Sequence, residues 1–388
     1  MKKFILSAAL VAMGTTSLLA DNVSISRDGL GDFLIAPFYM AKGKICTKVT
    51  VYNTNTTESV LAKVAFREQL ASNEIDLPIF LSPGDVWSGT VCQRANGDVY
   101  LTSTDDSNHP AIKNILANGK DLTAQSKKAG NSNVDFTAGY IEIYPIAEFN
   151  EGSDKKVQKS VLVKRWDNLI AGKIPSNTLK TGVDGFSLAG NVAYETDGKY
   201  TTILPMKAFK GTDDKVLTGS AIAYGNDTSP DVLLGSTKKY QILKLIQHKK
   251  TAFTYTNYGK DQYIVFTYPF GYNQNQIRKF KFTVRDMEEN KDVKKKEVVV
   301  FSPAPKVVTK ANFMKNEVAI ISVADLINKT QNPSMYKNGQ IQIEDITNVN
   351  NVQLGAGKNA SFFATIITLD KNNQNDAEIL NAYYTPVK

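Results

Sequence analysis

Apolar residues recur at every second position in segment after segment of this chain, and that period constrains what it can fold into more than any other feature. From Val60 to Arg67, Val60, Ala62, Val64 and Phe66 share one face of an extended segment, while Lys63 and Arg67 fall on the other. Val49 and Val51 alternate in the same way, Leu77, Ile79 and Leu81 do so ahead of the turn at Ser82, Pro83 and Gly84, and a strand through Val86 and Val91 carries Cys92. Later strand candidates are Tyr140–Tyr144, Ser220–Tyr224, Tyr263–Tyr268, Lys279–Arg285, Glu297–Phe301, Ile341–Glu344 and Phe362–Leu369.

Few segments have helical spacing. Leu162, Trp166, Leu169 and Ile170 lie on one helical face before Gly172, Lys238–His248 fits either a helix or a buried strand, and a short third helix surrounds Ala324–Ile327. Many short strands joined by Asn- and Gly-rich turns predict an all-β protein with an immunoglobulin-like β-sandwich architecture, either one sandwich or two stacked β units, with a few short helices. Residues 102–133, 150–159 and 328–340 read as exposed loops or edges, and no internal repeat stands out. The expected organisation is a leader over 1–20, a β-sandwich-rich region over 21–310, and a C-terminal β unit over 311–388 that is either separate or part of the same domain.

Lys2 and Lys3, an apolar run from Phe4 to Met13 and small residues up to Ala20 have the order of a secretory signal peptide. The run is shorter than the roughly 20 apolar residues of a membrane anchor, and no later segment reaches that length. The mature chain is therefore expected to begin near Asp21 and to be exported to the periplasm, the outer cell surface or the medium. The two cysteines, Cys46 and Cys92, then read as one disulfide joining two strands of the N-terminal sheet region.

Gly31, Asp32, Leu34, Ile35, Pro37 and Tyr39, a strand ending in Val51, Asn53 and Thr54, then Ala62, Lys63, Val64, Phe66, Arg67 and Glu68, and finally Leu81, Ser82, Pro83, Asp85, Val86 and Trp87 follow one another in an order that resembles a family of exported, β-rich bacterial cell-surface proteins. The resemblance is tight over residues 31–90 and weaker at Gly190–Ala193, Gln262–Pro269 and Val298–Phe301. It implies an address and a β fold, and no reaction. The tandem Lys294, Lys295 and Lys296 lies outside the pattern, so a binding role there is particular to this chain.

Catalytic signatures are weak. His109 precedes Pro110 in a polar loop and His248 sits among lysines, neither at metal-ligand spacing, so neither a metal site nor a cofactor is expected. Ser187 lacks the second glycine of a nucleophile elbow. Ser153 with Lys156, and Ser334 with Lys337, have Ser-x-x-Lys spacing without a companion motif. Asp105 with Asp106, and Asp213 with Asp214, read as solvated turns rather than calcium loops. A carboxylate pair for glycoside hydrolysis is set in space and leaves no trace in one sequence.

The distinctive signal is electrostatic. Residues 238–310 hold 16 basic and 6 acidic residues, an excess of +10 in a whole chain of net charge +8. Alternation over β-candidate Lys279–Arg285 points Phe280, Phe282 and Val284 inward and Lys279, Lys281 and Arg285 outward, next to Lys294, Lys295 and Lys296. These six residues are the candidate anion-binding face, suited to an acidic polysaccharide or another anionic cell-surface component, against the plainer reading that lysines on a sheet edge block aggregation. Export disfavours genomic DNA as a partner. The expected function is thus a non-catalytic, structural or adhesive cell-surface or matrix protein; the alternatives are an extracellular carbohydrate-active or other hydrolase, and a self-assembling surface or filament subunit.

Overall fold

The computed structural model describes residues 23–149, 159–171, 173, 188–211, 241–246, 250–269, 278–286, 296–302, 318–328, 333–345, 362–370 and 378–384. The leader, the strand expected at Ser220–Tyr224, and Ser153, Lys156, Ser187, Asp213, Asp214, His248, Lys294 and Lys295 lie outside them. The chain is a mostly β, sandwich-type protein, as the alternation predicts. In order come β1 (Val23–Ile25), β2 (Phe33–Met40), β3 (Ile45–Asn53), β4 (Ser59–Glu68), β5 (Glu74–Leu81), β6 (Val86–Gln93), β7 (Val99–Thr102), α1 (Pro110–Ala117), β8 (Lys120–Asp121), α2 (Leu122–Lys128), β9 (Ala138–Phe149), α3 (Lys159–Ile170), β10 (Leu188–Thr196), β11 (Lys199–Pro205) and β12 (Lys207–Gly211). The second half supplies β13 (Lys250–Tyr255), β14 (Gln262–Thr267), β15 (Arg278–Asp286), β16 (Lys296–Ser302), β17 (Val318–Ser322), α4 (Val323–Asn328), β18 (Gly339–Asp345), β19 (Phe363–Asp370) and β20 (Glu378–Tyr384).

The strands form four antiparallel sheets. Sheet I runs β1-β12-β2-β9-β4-β5 and sheet II β11-β10-β3-β6-β7-β8; sheet III runs β13-β18-β15-β16 and sheet IV β17-β14-β19-β20. Sheets I and II enclose a core containing Val49, Val51, Phe66, Leu77 and Trp87. Sheet I is covered on its other face too, where Leu61, Ala65, Phe80 and Tyr144 pack against Leu162 and Trp166 of α3 and against Ile242, Leu243 and Ile246 of the helical segment at 241–246. All of β4 is consequently buried. Lys63 and Arg67 do lie on the face opposite Val60, Ala62, Val64 and Phe66, but that face is covered too: they are 6% and 5% exposed. Pro78 sits in β5, an edge strand, where a missing backbone donor is tolerated.

The two halves are one fold written twice. In sheet I the run β2-β9-β4-β5 matches β13-β18-β15-β16 of sheet III, and in sheet II the run β11-β10-β3-β6 matches β20-β19-β14-β17 of sheet IV, strand for strand in chain order. The register agrees as well. Gly139 of β9 lies between Tyr39 and Glu68 as Gly339 of β18 lies between Tyr255 and Asp286. Arg67 faces Tyr140 as Arg285 faces Gln340, and Lys63 faces Tyr144 as Lys281 faces Glu344. Both outer hairpins, β10–β11 and β19–β20, carry a register shift near the turn. The duplication is faintly visible in sequence once the strands are aligned: Lys63-Val-Ala-Phe-Arg-Glu68 answers Lys281-Phe-Thr-Val-Arg-Asp286, and Gly139-Tyr-Ile-Glu-Ile143 answers Gly339-Gln-Ile-Gln-Ile343.

Residue 310 falls between β16 and β17, and strands from both sides of it share sheets III and IV: β14 pairs with β17 and β19, and β15 with β18. The second sandwich lays sheet IV against the first, with Val265, Val318 and Ile367 joining the first core. There the Thr267 hydroxyl donates to the Pro37 carbonyl and the Val318 amide to the Gln69 carbonyl. The stretch 102–133, read as loop, contains α1 and α2. Both are short and few of their side chains are buried, so their helical period is faint; His109 and Asp121 cap them, accepting from the Ala111 and Ala124 amides.

Each repeated glycine marks a close approach. A Cβ at Gly139 would lie 1.9 Å from the Arg67 carbonyl oxygen and 2.6 Å from the Tyr39 ring, and one at Gly339 would lie 1.9 Å from the Arg285 carbonyl oxygen. Gly139→Ala should therefore destabilise the first sandwich by about 1–3 kcal/mol or more, as overpacking does. Denaturant unfolding checks it; an unchanged midpoint would show that β9 can shift without cost.

Candidate functional site

Three adjacent strands of sheet I place their charges together. Arg67 sits on β4 opposite Glu74 on β5, and Lys63 lies four pairs further along the same ladder. The Arg67 Nε donates to Glu142 Oε2 at 2.9 Å, Nη1 donates to the Ser72 carbonyl at 3.0 Å, and Nη2 lies 2.8 Å from Glu74 Oε2. Tyr144 donates its hydroxyl proton to Glu142 Oε2 at 2.7 Å, and the Tyr140 and Ser72 hydroxyls share a hydrogen bond at 2.7 Å. Lys63 pairs with Asp76. Glu68 satisfies the backbone of the β4–β5 turn, accepting from the Leu70, Ala71 and Asn73 amides.

The cluster thus sets two cations, Lys63 and Arg67, against three carboxylates, Glu74, Asp76 and Glu142, in a region where charge is costly to bury. Burial works against the Arg67 charge, but Glu142, Tyr140 and Glu74 outweigh it and hold its pKa well above the usual value. The surplus carboxylate is Glu74. Burial, helped by Asp76 and Glu142, raises it to about 7 despite Arg67 and Lys63. With Glu74 protonated, Arg67–Glu142 and Lys63–Asp76 remain as two neutral pairs.

Sheet III carries the same cation ladder, and it is the ladder singled out from sequence. β15 is an interior strand, between β18 and β16, whereas Lys296 lies on the edge strand β16. Phe282 and Val284 are in the second core, and Arg285 is exposed. Lys279 and Lys281 alternate with them along β15, and Lys296 faces Val284 across the ladder. Strand pairing also introduces an acid that a count over 238–310 misses: Glu344 stands in register between Lys250 and Lys281. Glu297, already in that count, faces Thr283. The local excess of positive charge is therefore smaller in the folded sheet than in the linear sequence.

The other nominated residues have structural partners. Cys46 and Cys92 form the expected disulfide, directly across β3 and β6 with Cα atoms 4.6 Å apart, on the outer side of sheet II. His109 accepts from the Ala111 amide through Nδ1, so its Nε2 proton is directed to Asp167 of α3 at 2.9 Å. Asp105 accepts from the Ser88 and Ser107 amides, and Asp106 and Asp85 both hold Lys159 at the start of α3. These are turn and docking contacts. Among the described residues no group of His, Cys, Asp and Glu side chains has the arrangement of a metal site, and no helix is long and apolar enough to cross a membrane.

No family model matches this chain, and no curated protein or solved structure does. The likeness of residues 31–90 to exported surface proteins rests on those residues alone.

The Glu74 shift has a definite sign. Its folded value lies above the unfolded value of 4.5, so the stability it contributes is complete below about pH 4.5 and is lost as the pH rises to about 7. Relative to Glu74→Gln, the native protein should lose about 1–3 kcal/mol of unfolding free energy across that window. Parallel pH profiles for the two proteins would refute the assignment.

Proposed function

We propose that this chain is an exported, non-catalytic protein of the cell surface or extracellular matrix, with a structural or adhesive role and a basic sheet face that meets anionic glycans. The observation that carries the reading is the Cys46–Cys92 bond, half-buried on the outside of sheet II. Disulfides persist where the compartment is oxidising. Two neighbouring strands already held by a ladder gain from this bond only where thiols are not kept reduced. The leader-like first twenty residues support the same address.

The duplicated sandwich supports a structural role. Two like units, docked through the apolar face of sheet IV, give a stiff scaffold with long sheet faces available for contact. Arg285 on sheet III supplies exposed positive charge at one such face. The strand β1 is paired to β12 within its own molecule, so the N-terminal strand does not stand free for exchange with a neighbour.

Cell fractionation with thiol labelling tests the address. The protein should be found outside the cytoplasm with an N-terminus near Asp21, and denatured, unreduced protein should label at neither cysteine. Cytoplasmic retention with two labelled thiols would overturn the proposal.

A further inference from the structure

The duplication supplies an occupied version of the cation ladder that β15 carries in the second sandwich. Lys63 and Arg67 of β4 correspond to Lys281 and Arg285 of β15, with the same four-residue spacing and the same place between central and outer strands. In the first sandwich carboxylates fill this ladder: Glu142 and Glu74 on Arg67, Asp76 on Lys63. In the second, the position of Asp76 is kept as Glu297, that of Tyr144 becomes Glu344, and that of Glu142 becomes Gln342. Lys281 therefore retains an acid in register, whereas the arginine's principal partner has become a neutral amide. Arg285 is exposed.

We infer that the Arg285–Gln342 position of sheet III binds carboxylate groups of an external acidic polysaccharide, of the uronic acid type, which pair with Arg285 as Glu142 pairs with Arg67 in the first sandwich. The planar guanidinium fork accepts a carboxylate through two parallel hydrogen bonds, and the adjacent Gln342 amide can donate a further one. Lys281 and Lys279 on the same strand add field without fixing geometry. Glu344 and Glu297 set a limit on the net charge, which disfavours multiply charged groups relative to single carboxylates spaced along a chain. The inference rests on the proposed anionic-glycan reading and narrows it to one anion.

Retention on immobilised polygalacturonate, measured across a salt series, is the test, with polyphosphate and neutral dextran columns beside it. The native protein should be retained by polygalacturonate, released as salt screens the contact, and pass through dextran. Gln342→Glu restores the internal carboxylate of the first sandwich and should weaken retention on the order of tenfold; Arg285→Gln should do the same, as loss of a charge-assisted hydrogen bond does. Thermal unfolding of both variants confirms that they fold, which is expected because Arg285 is exposed and Gln342 half-buried. Equal retention of folded variants and native protein overturns the assignment to this position. Retention on polyphosphate with none on polygalacturonate overturns the carboxylate inference and leaves the anionic-surface reading standing; passage through both overturns both.

Discussion

Sheet I is buried from both sides, and the rest of the molecule depends on how it tolerates that. A strand such as β4, enclosed by sheet II on one face and by α3 and the segment at 241–246 on the other, has no solvent to offer Lys63 or Arg67. Only pairing keeps such charges inside, because an isolated buried ion costs several kcal/mol. The three strands β5, β4 and β9 are therefore coupled by more than their ladders: each contributes a charge that the next strand's charge requires. The second sandwich then has a fixed platform on which sheet IV can rest.

Secondary structure was largely legible from sequence, because alternation reports parity. Val60, Ala62, Val64 and Phe66 do share one face, and Phe282 and Val284 do point into a core. Alternation does not report what lies over the other face. Applied alike to Lys63 and to Lys281, the same rule places both pairs of cations opposite the core side, yet Arg285 is exposed there and Arg67 is buried. The difference is made by α3 and the segment at 241–246, distant parts of the chain whose docking no local pattern encodes.

The repeat is faint in the sequence for a related reason. Its matching motifs are short, conserve only the charged and glycine positions, and are spaced differently in the two halves, because β7, α1, β8 and α2 are inserted between β6 and β9 of the first. What the repeat preserves is register: a glycine where an arginine carbonyl passes close by, and a lysine and an arginine four residues apart. Those positions are dictated by backbone geometry and by the need to pair charges across strands, whereas the apolar residues between them are free to drift so long as their period holds. The disulfide was legible for the opposite reason, since two cysteines in a chain that begins like an exported one leave a single pairing to consider.

The Cys46–Cys92 bond also sets how the molecule responds to being pulled. It closes a segment of 46 residues that contains all of β4 and β5. If the protein bridges a cell to its surroundings and load is applied through its ends, that segment cannot pay out. Roughly 150 Å of contour length, at about 3.3–3.6 Å per residue, stays withheld even after every ladder around it has sheared. The Lys63–Asp76 and Arg67–Glu74 pairs lie wholly inside this covalent loop, so the loop would let the first sandwich yield at its edges while keeping those contacts close enough to re-form when the load is released.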